Sequence, residues 1–229
     1  MSCILNIETS TEVCSVALSQ DGVCLFDKED RKGPSHAAIL AGFVEEALSF
    51  ADSHAIPLDA VAVSRGPGSY TGLRIGVSEA KGVAYGRDAR LLAIDSLKII
   101  TVPTLLHTEL PEDALLVPMI DARRMEVYCA VYDRALREVV PIGAQIVDEH
   151  SFAEHLEAHP VYFMGNGAAK CQGVISHPNA HFIEGAVPLA SQMIPLAEMA
   201  LAREAFEDVA YFEPFYLKEF VATKSKKPF

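Results

Sequence analysis

Arg65-Gly-Pro-Gly-Ser-Tyr-Thr-Gly-Leu-Arg-Ile-Gly-Val-Ser-Glu-Ala-Lys-Gly82 leaves an apolar run, turns through glycines and enters a stretch of small residues. Strand, glycine loop and helix make the elementary unit of an α/β fold. A dinucleotide fingerprint needs G-x-G-x-x-G, whereas Gly66, Gly68 and Gly72 are spaced G-x-G-x-x-x-G and Pro67 removes a backbone donor. A phosphate P-loop needs Gly-Lys-Ser/Thr at the helix start, and that triplet does not occur there. Energetics supply a third reading. Glycine costs a helix interior about 1 kcal/mol relative to alanine, and Gly72, Gly76 and Gly82 all fall in this helix. Gly72, Gly76, Ala80 and Ala84 recur every four residues as a smooth stripe beside Leu73, Val77 and Tyr85, along which another helix can approach closely. That helix is the chain's own 36–51 segment, one from another molecule, or both at once.

Outward from this unit, residues 3–7, 14–18 and 23–26 read as three antiparallel strands, the last two joined by an Asp21-Gly22 turn. After Gly33-Pro34, Ser35 is a candidate N-cap, and Ile39, Leu40, Phe43, Val44, Ala47 and Leu48 follow at helical period. A strand at 59–64, the helix at 71–86, a strand at 91–95 and a helix at 96–107 complete the first half. The second half repeats the order, with strands at 115–120, 126–132 and 138–147, a helix at 150–159, a strand at 161–165, and helices near 168 and at 189–206. Two βββαβα halves predict a duplicated α/β fold, two lobes facing one another across a cleft. The junction lies near Pro103 to Pro111, which divides the chain into 1–105 and 106–229. Tyr211, Phe212, Phe215, Tyr216 and Phe220 form an aromatic segment that should dock on protein, including back onto the first lobe.

The chain has 229 residues, of which 50% are hydrophobic and 22% charged, a composition too apolar for disorder. Its net charge of −12 disfavours autonomous nucleic-acid binding. Five scattered cysteines without a C-x-x-C read as buried thiols. The N-terminus lacks a basic region before its apolar stretch and no apolar run reaches 18 residues, so a cytoplasmic protein with no membrane contact is expected.

Four stretches together carry a family resemblance: Ile7-Glu-Thr-Ser-Thr-Glu-Val-Cys-Ser-Val-Ala-Leu, Arg65-Gly-Pro-Gly-Ser-Tyr-Thr-Gly-Leu-Arg-Ile-Gly, Ile120-Asp-Ala-Arg-Arg-Met-Glu-Val-Tyr and Pro214-Phe-Tyr-Leu-Lys. The chain resembles the TsaB (YeaZ) family through both lobes. The resemblance implies a two-lobed actin-like ATPase/sugar kinase (RNase H-like) fold and a role in making threonylcarbamoyladenosine beside the tRNA anticodon. It also implies a non-catalytic subunit that pairs with a metal-holding catalytic paralogue, TsaD, with a TsaE-like ATPase completing the complex. On this reading no cofactor is held, tRNA is met only through the complex, and a homodimer forms when the partner is absent.

Under the resemblance, the helices at 36–51 and 71–86 form a four-helix interface with the paralogue. Its expected residues are His36, Ile39, Leu40, Phe43, Tyr70, Leu73, Arg74, Gly76, Val77, Ala80 and Lys81. A vestigial nucleotide cleft is expected at Glu8, Thr9, Ser10, Thr11, Arg123, Arg124, Gly165 and Gly167, where the arginines fill a phosphate turn or bind an anion. The catalytic paralogue carries an H-x-x-x-H metal pair where this chain reads Ile94-Asp95-Ser96-Leu97-Lys98-Ile99, so that site is not expected here. The pairs His155/His159, on a helix, and His177/His181, in a loop, lack a third ligand at useful spacing. Alternatives are an ATP-dependent phosphotransferase using Glu8, or a glycoprotease-like peptidase. Lys218, Lys224, Lys226 and Lys227 give the C-terminus a local positive charge, either solvated or available to tRNA or a partner.

Overall fold

The computed structural model describes residues 1–33 and 35–218. Strands β1 (Cys3–Glu8), β2 (Cys14–Gln20) and β3 (Val23–Asp30) form an antiparallel meander. Helix α1 (His36–Ser53) leads to β4 (Ala60–Gly66), parallel to β1, and α2 (Tyr70–Arg87) leads to β5 (Arg90–Asp95), parallel to β4. After α3 (Ser96–His107) the pattern starts again with β6 (Leu115–Asp121), β7 (Glu126–Tyr132) and β8 (Glu138–Ile146). It continues through α4 (Ala153–Ala158), β9 (Val161–Met164), α5 (Ala168–Cys171) and β10 (Ala180–Ile183). The first sheet runs β3-β2-β1-β4-β5 and the second β8-β7-β6-β9-β10, with the same parallel and antiparallel senses at each step. The duplication is therefore one of topology.

Period-two alternation explains the layering. Leu5, Ile7, Val61 and Val63 point to the side covered by Leu40, Val44 and Ala47 of α1 and Val77, Ala80 and Ala84 of α2. Ile4, Ala60, Ala62 and Leu92 point the other way, onto Ile99 and Val102 of α3. The opposite side of α3, Leu97 and Ile100, packs on Leu116, Ile120 and Tyr132 of the second lobe. One helix thus serves as a wall for both sheets.

The division in space departs from the 1–105 and 106–229 division in sequence. Helix α6 (Ala190–Ala202) returns to the first lobe, where Met193 and Ala197 complete the Ile4 and Leu92 side of the sheet, and β11 (Phe206–Glu207) adds to the edge at β5. The apolar far face of the first sheet needs more cover than α3 alone supplies. Strand β10 was not expected from sequence: it is four residues long and follows His177-Pro178-Asn179, so His181 lies in a strand and stacks on Tyr162. Helix α6 ends four residues before the expected 206. Ser35 precedes α1 but makes no side-chain cap; its hydroxyl donates to Asp30 Oδ2 at 3.0 Å.

Cys3, Cys14, Cys129 and Cys171 are buried while Cys24 is exposed, and burial pushes the Cys14 thiol up to about 12. Among the described residues no helix is long and apolar enough to cross a membrane.

Met193→Ala removes a fully buried side chain from the α6 contact and is expected to cost about 2 to 5 kcal/mol. Chemical denaturation measures the loss, and hydrogen exchange should rise in β1 and β5 while β6 and β9 keep their protection.

Candidate functional site: the two faces of α2 and the cleft beside it

Helix α2 starts where Ser69 caps it, its hydroxyl accepting from Gly72 N–H at 3.2 Å. The expected glycine stripe turns inward. A Cβ on Gly72 would overlap the Thr9 carbonyl oxygen, one on Gly76 would overlap Thr9 Oγ1, and one on Gly68 would stand 2.8 Å from Ser10 Cβ. The helix therefore rides directly on the β1–β2 loop, and Ser69 N–H donates to Ser10 O at 2.7 Å. Ala80 and Ala84 continue the stripe into the core. What Gly72 and Gly76 accommodate is Thr9, while Ala80 and Ala84 share a core cluster with Leu40, Val44 and Ala47 of α1.

The expected interface residues separate accordingly. Leu40, Leu73, Gly76, Val77 and Ala80 are buried in the lobe's own interior, so a partner cannot reach them. His36 is buried too, with Nε2 3.3 Å from Val13 O, and ties the start of α1 to the loop before β2. Ile39, Phe43, Tyr70 and Lys81 are half-buried, and Arg74 is exposed, donating to Tyr70 Oη at 2.9 Å. Lys81 Nζ donates to Ala210 O at 3.0 Å and Phe212 O at 3.1 Å, fastening the C-terminal segment along α2.

Sequence reasoning missed a second stripe. Ser78, Gly82 and Gly86, displaced from the first by two residues or about 200° of helix rotation, are exposed, and nothing lies within 4 Å of where a Cβ on Gly82 or Gly86 would stand. On α1, Ala38, Ala41 and Gly42 are exposed, and Gly42 is equally open. Between the helices runs a shallow groove of about 300 Å³ lined by Leu48, Ser78, Gly82, Val83, Gly86 and Arg87. Arg87 closes its end with a two-pronged ion pair to Asp52, at 2.7 and 2.8 Å. The four-residue spacing of 78, 82 and 86 was visible in the sequence; which stripe faced inward depended on the path of the β1–β2 loop.

Across the cleft, Glu8 ends β1 with no exposed surface, and Oε1 accepts from Ser10 N–H at 2.6 Å. Burial raises its pKa to about 7, with hydrogen bonding from Ser10, Ser64 and Thr9 acting in the opposite direction. Thr9, Ser10 and Thr11 are buried with it. Gly165 has φ +100°, and a Cβ there or on Gly167 would run into the Met119–Asp121 backbone, so both glycines serve close packing of this turn on β6. Arg123 and Arg124 both take positive φ in the β6–β7 hairpin and are exposed, so they project from the turn. Lys170, another residue the sequence did not single out, fills the hairpin: its Nζ meets Asp121 Oδ1 and donates to Arg124 O and Glu126 O, both at 2.7 Å. Asn166 receives Asp121 N–H at 3.0 Å and donates to Glu12 Oε2 at 3.0 Å, joining the two lobes.

Asp95 pairs with Arg65, while Lys98 stands 3.8 Å from its other oxygen. His159 sits 3.5 Å from Asp113. No group of three or more potential ligands converges among the described residues. The C-terminal segment crosses the mouth of the cleft: Phe215 N–H donates to Arg65 O at 2.7 Å, Tyr216 packs on Tyr70 at 4.9 Å between ring centroids, and Lys218 pairs with Glu126. Phe220, Lys224, Lys226 and Lys227 lie outside the described residues.

Two sheets of one strand order, sharing α3 and facing across a cleft at the ends of β1 and β6, place the chain in the actin-like, RNase H-like class of α/β proteins. Comparison with known proteins refines this. The family model of TsaD, tRNA N6-adenosine threonylcarbamoyltransferase, matches residues 32–226. The tRNA threonylcarbamoyladenosine biosynthesis protein TsaB of Bacillus subtilis is 31% identical over 222 residues, 94% of this chain and 93% of the other. Its namesake in Haemophilus influenzae is 29% identical over 233 residues, 96% of this chain and 95% of the other. The solved structure of YeaZ from Pseudomonas aeruginosa superposes with a TM-score of 0.80 at 27% identity, covering 95% of this chain and 100% of that one. The chain belongs to the TsaB family of tRNA threonylcarbamoyladenosine biosynthesis proteins.

The two stripes predict opposite signs for one substitution. Gly72→Ala should destabilise by about 1 to 3 kcal/mol, because the added methyl meets backbone. Gly82→Ala should stabilise the isolated chain by up to about 1 kcal/mol; thermal melts compare them.

Glu8 gives a pH dependence. Its folded pKa of about 7 exceeds the unfolded value of 4.5, so between the two the folded chain holds more protons than the unfolded one. Its contribution is complete below the unfolded pKa and is lost as pH rises through 7. The melting temperature should decline from pH 5 to pH 8, and this part of the decline should vanish in Glu8→Gln. Parallel profiles would place the ionised carboxylate in the fold.

Proposed function

We propose that this protein is the non-catalytic subunit of a tRNA threonylcarbamoyladenosine-forming complex, and that the outward face of α1 and α2 docks against a TsaD-like catalytic paralogue. The observation that carries the reading is the placement of Gly42, Gly82 and Gly86 on open surface. Glycine within a helix costs about 1 kcal/mol against alanine, and no contact among the described residues accounts for these three. Close approach of helices from another molecule accounts for them. Ile39, Phe43, Leu48, Ile75 and Val83, half-buried around the groove, supply apolar area for such a contact. In the absence of the paralogue, a second copy fits the same face, and a TsaE-like ATPase joins the assembled pair.

A non-catalytic role is supported by the chemistry of the cleft. A magnesium–nucleotide pair needs an ionised carboxylate at the end of β1 and an open phosphate turn in the second hairpin. Glu8 is buried with its pKa raised to about 7, and Lys170 occupies the oxygens of the hairpin. These residues do not fit that ligand, which disfavours the phosphotransferase reading. For the peptidase reading, no group of three or more His, Cys, Asp or Glu side chains converges among the described residues to hold a metal.

Gly82→Leu tests the interface. Because its surroundings are open, the variant should remain folded, while a bulky side chain holds the partner's helices away and weakens association by at least about tenfold, or 1.4 kcal/mol. Sedimentation with the paralogue and a melt of the isolated variant give both readings. Normal association would remove this face from consideration.

A further inference from the structure

We propose that Glu45 and Glu79 make the outward face of α1 and α2 selective for a partner whose docking helices carry Lys or Arg beside small residues, and set that face against a second copy of this chain. The inference rests on the function proposed above and gives the chemistry of the partner that the face takes.

The Lys, Arg, Asp and Glu of the two helices divide into those with a partner in the chain and those without. Helix α1 has no Lys or Arg and three acids, Glu45, Glu46 and Asp52, while α2 has Arg74, Lys81 and Arg87 and one acid, Glu79. Glu46 pairs with Lys28 of β3, and Asp52 takes both prongs of Arg87. Lys81 is spent on the Ala210 and Phe212 carbonyls. Arg74 donates to Tyr70 Oη, its guanidinium 5.5 Å from the centre of that ring. Each cation thus has a partner within the chain. Glu45 and Glu79 make no ion pair and no side-chain hydrogen bond among the described residues.

Their positions give this imbalance a use. Glu45 follows Gly42 by three residues and Glu79 precedes Gly82 by three, so each stands about 4.5 Å along its helix from a glycine with open surroundings. Glu79 is half-buried and lines the groove, and Glu45 is exposed. A helix that comes close enough to use Gly42 and Gly82 also covers these two carboxylates. A covered carboxylate without a counter-ion loses its hydration and gains nothing, whereas an ammonium or guanidinium group set against it compensates the charge. In a twofold contact the same patch lies on both sides. A second copy therefore brings two further glutamates, no uncommitted cation from either helix, and a second net charge of −12. Repulsion between like charges penalises that pairing and acts as the discriminating element. The glycines set how closely a partner can approach; the glutamates set which partner it is.

The test uses the full chain, alone and mixed with a TsaD-like protein from the same source. One variant carries Glu45→Gln and Glu79→Gln; glutamine keeps the size and helix propensity of glutamate, so the melting temperature should not change. A control carries Glu112→Gln and Glu157→Gln, exposed acids of the second lobe. In sedimentation at about 0.05 M salt, the variant should bind the TsaD-like protein about tenfold more weakly than the wild type and self-associate at least about threefold more tightly. Raising salt to about 0.5 M should weaken the mixed pair of wild-type chains and strengthen the self-associated one, since screening removes attraction in the first and repulsion in the second. Both trends should flatten in the variant. The control should move neither affinity by more than about twofold. Unchanged affinity of the variant for the TsaD-like protein would overturn the proposal. So would self-association that stays the same or weakens, because the glutamates would then not select between partners. The docking reading beneath is judged separately. Absence of association between the wild type and the TsaD-like protein, or normal association of Gly82→Leu, removes the face itself; loss in Gly82→Leu beside a neutral double-glutamine variant removes the charge selection alone.

Discussion

Thr9 sits against the bare backbone of α2, in the space where side chains on residues 72 and 76 would otherwise stand. This approach fixes much of the first lobe. It sets the helix on the loop that ends β1, buries Glu8 behind it, and turns Leu73, Val77, Ala80 and Ala84 toward the sheet. Once that side of α2 is committed to the interior, rotation is no longer free, and Ser78, Gly82 and Gly86 are left on the surface. The outward face is thus a consequence of the inward contact. The β1–β2 loop is packed against this helix.

The second lobe reaches a comparable closure by charge rather than by packing. Lys170 places an ammonium group among the oxygens of the β6–β7 hairpin, and Asn166 spans from that hairpin to Glu12 of the first lobe. The C-terminal segment then crosses from Arg65 to Glu126. Both sides of the cleft are occupied by the chain's own groups, which favours a docking role over chemistry within it.

The duplicated order of elements was legible because hydrophobic period and turn residues are local properties: Asp21-Gly22, the apolar run before Arg65 and the helical spacing from Ile39 to Leu48 each declare themselves. Strand β10 did not, since four residues after His177-Pro178-Asn179 carry too little pattern to register. The return of α6 to the first lobe was also invisible, because its apolar face is equally suited to either sheet and only three-dimensional closure decides between them. At the site, the sequence aimed the stripe through Gly72 and Gly76 at another helix, whereas both glycines face Thr9. Spacing shows that a helix has smooth stripes; Gly72 and Gly82 differ only in what lies opposite. Lys170 and Asn166 were missed for a related reason, as their partners lie 44 or more residues away in sequence.

The central claim is that α2 has one face for its own fold and another for a different molecule. Hydrogen–deuterium exchange of this chain, alone and mixed with a TsaD-like protein, tests it most directly. New protection should appear in peptides covering residues 37–49 and 74–87, with the β1–β2 loop already protected before the partner is added. Protection confined to the second lobe, or none in α1 and α2 at saturating partner, would contradict the account.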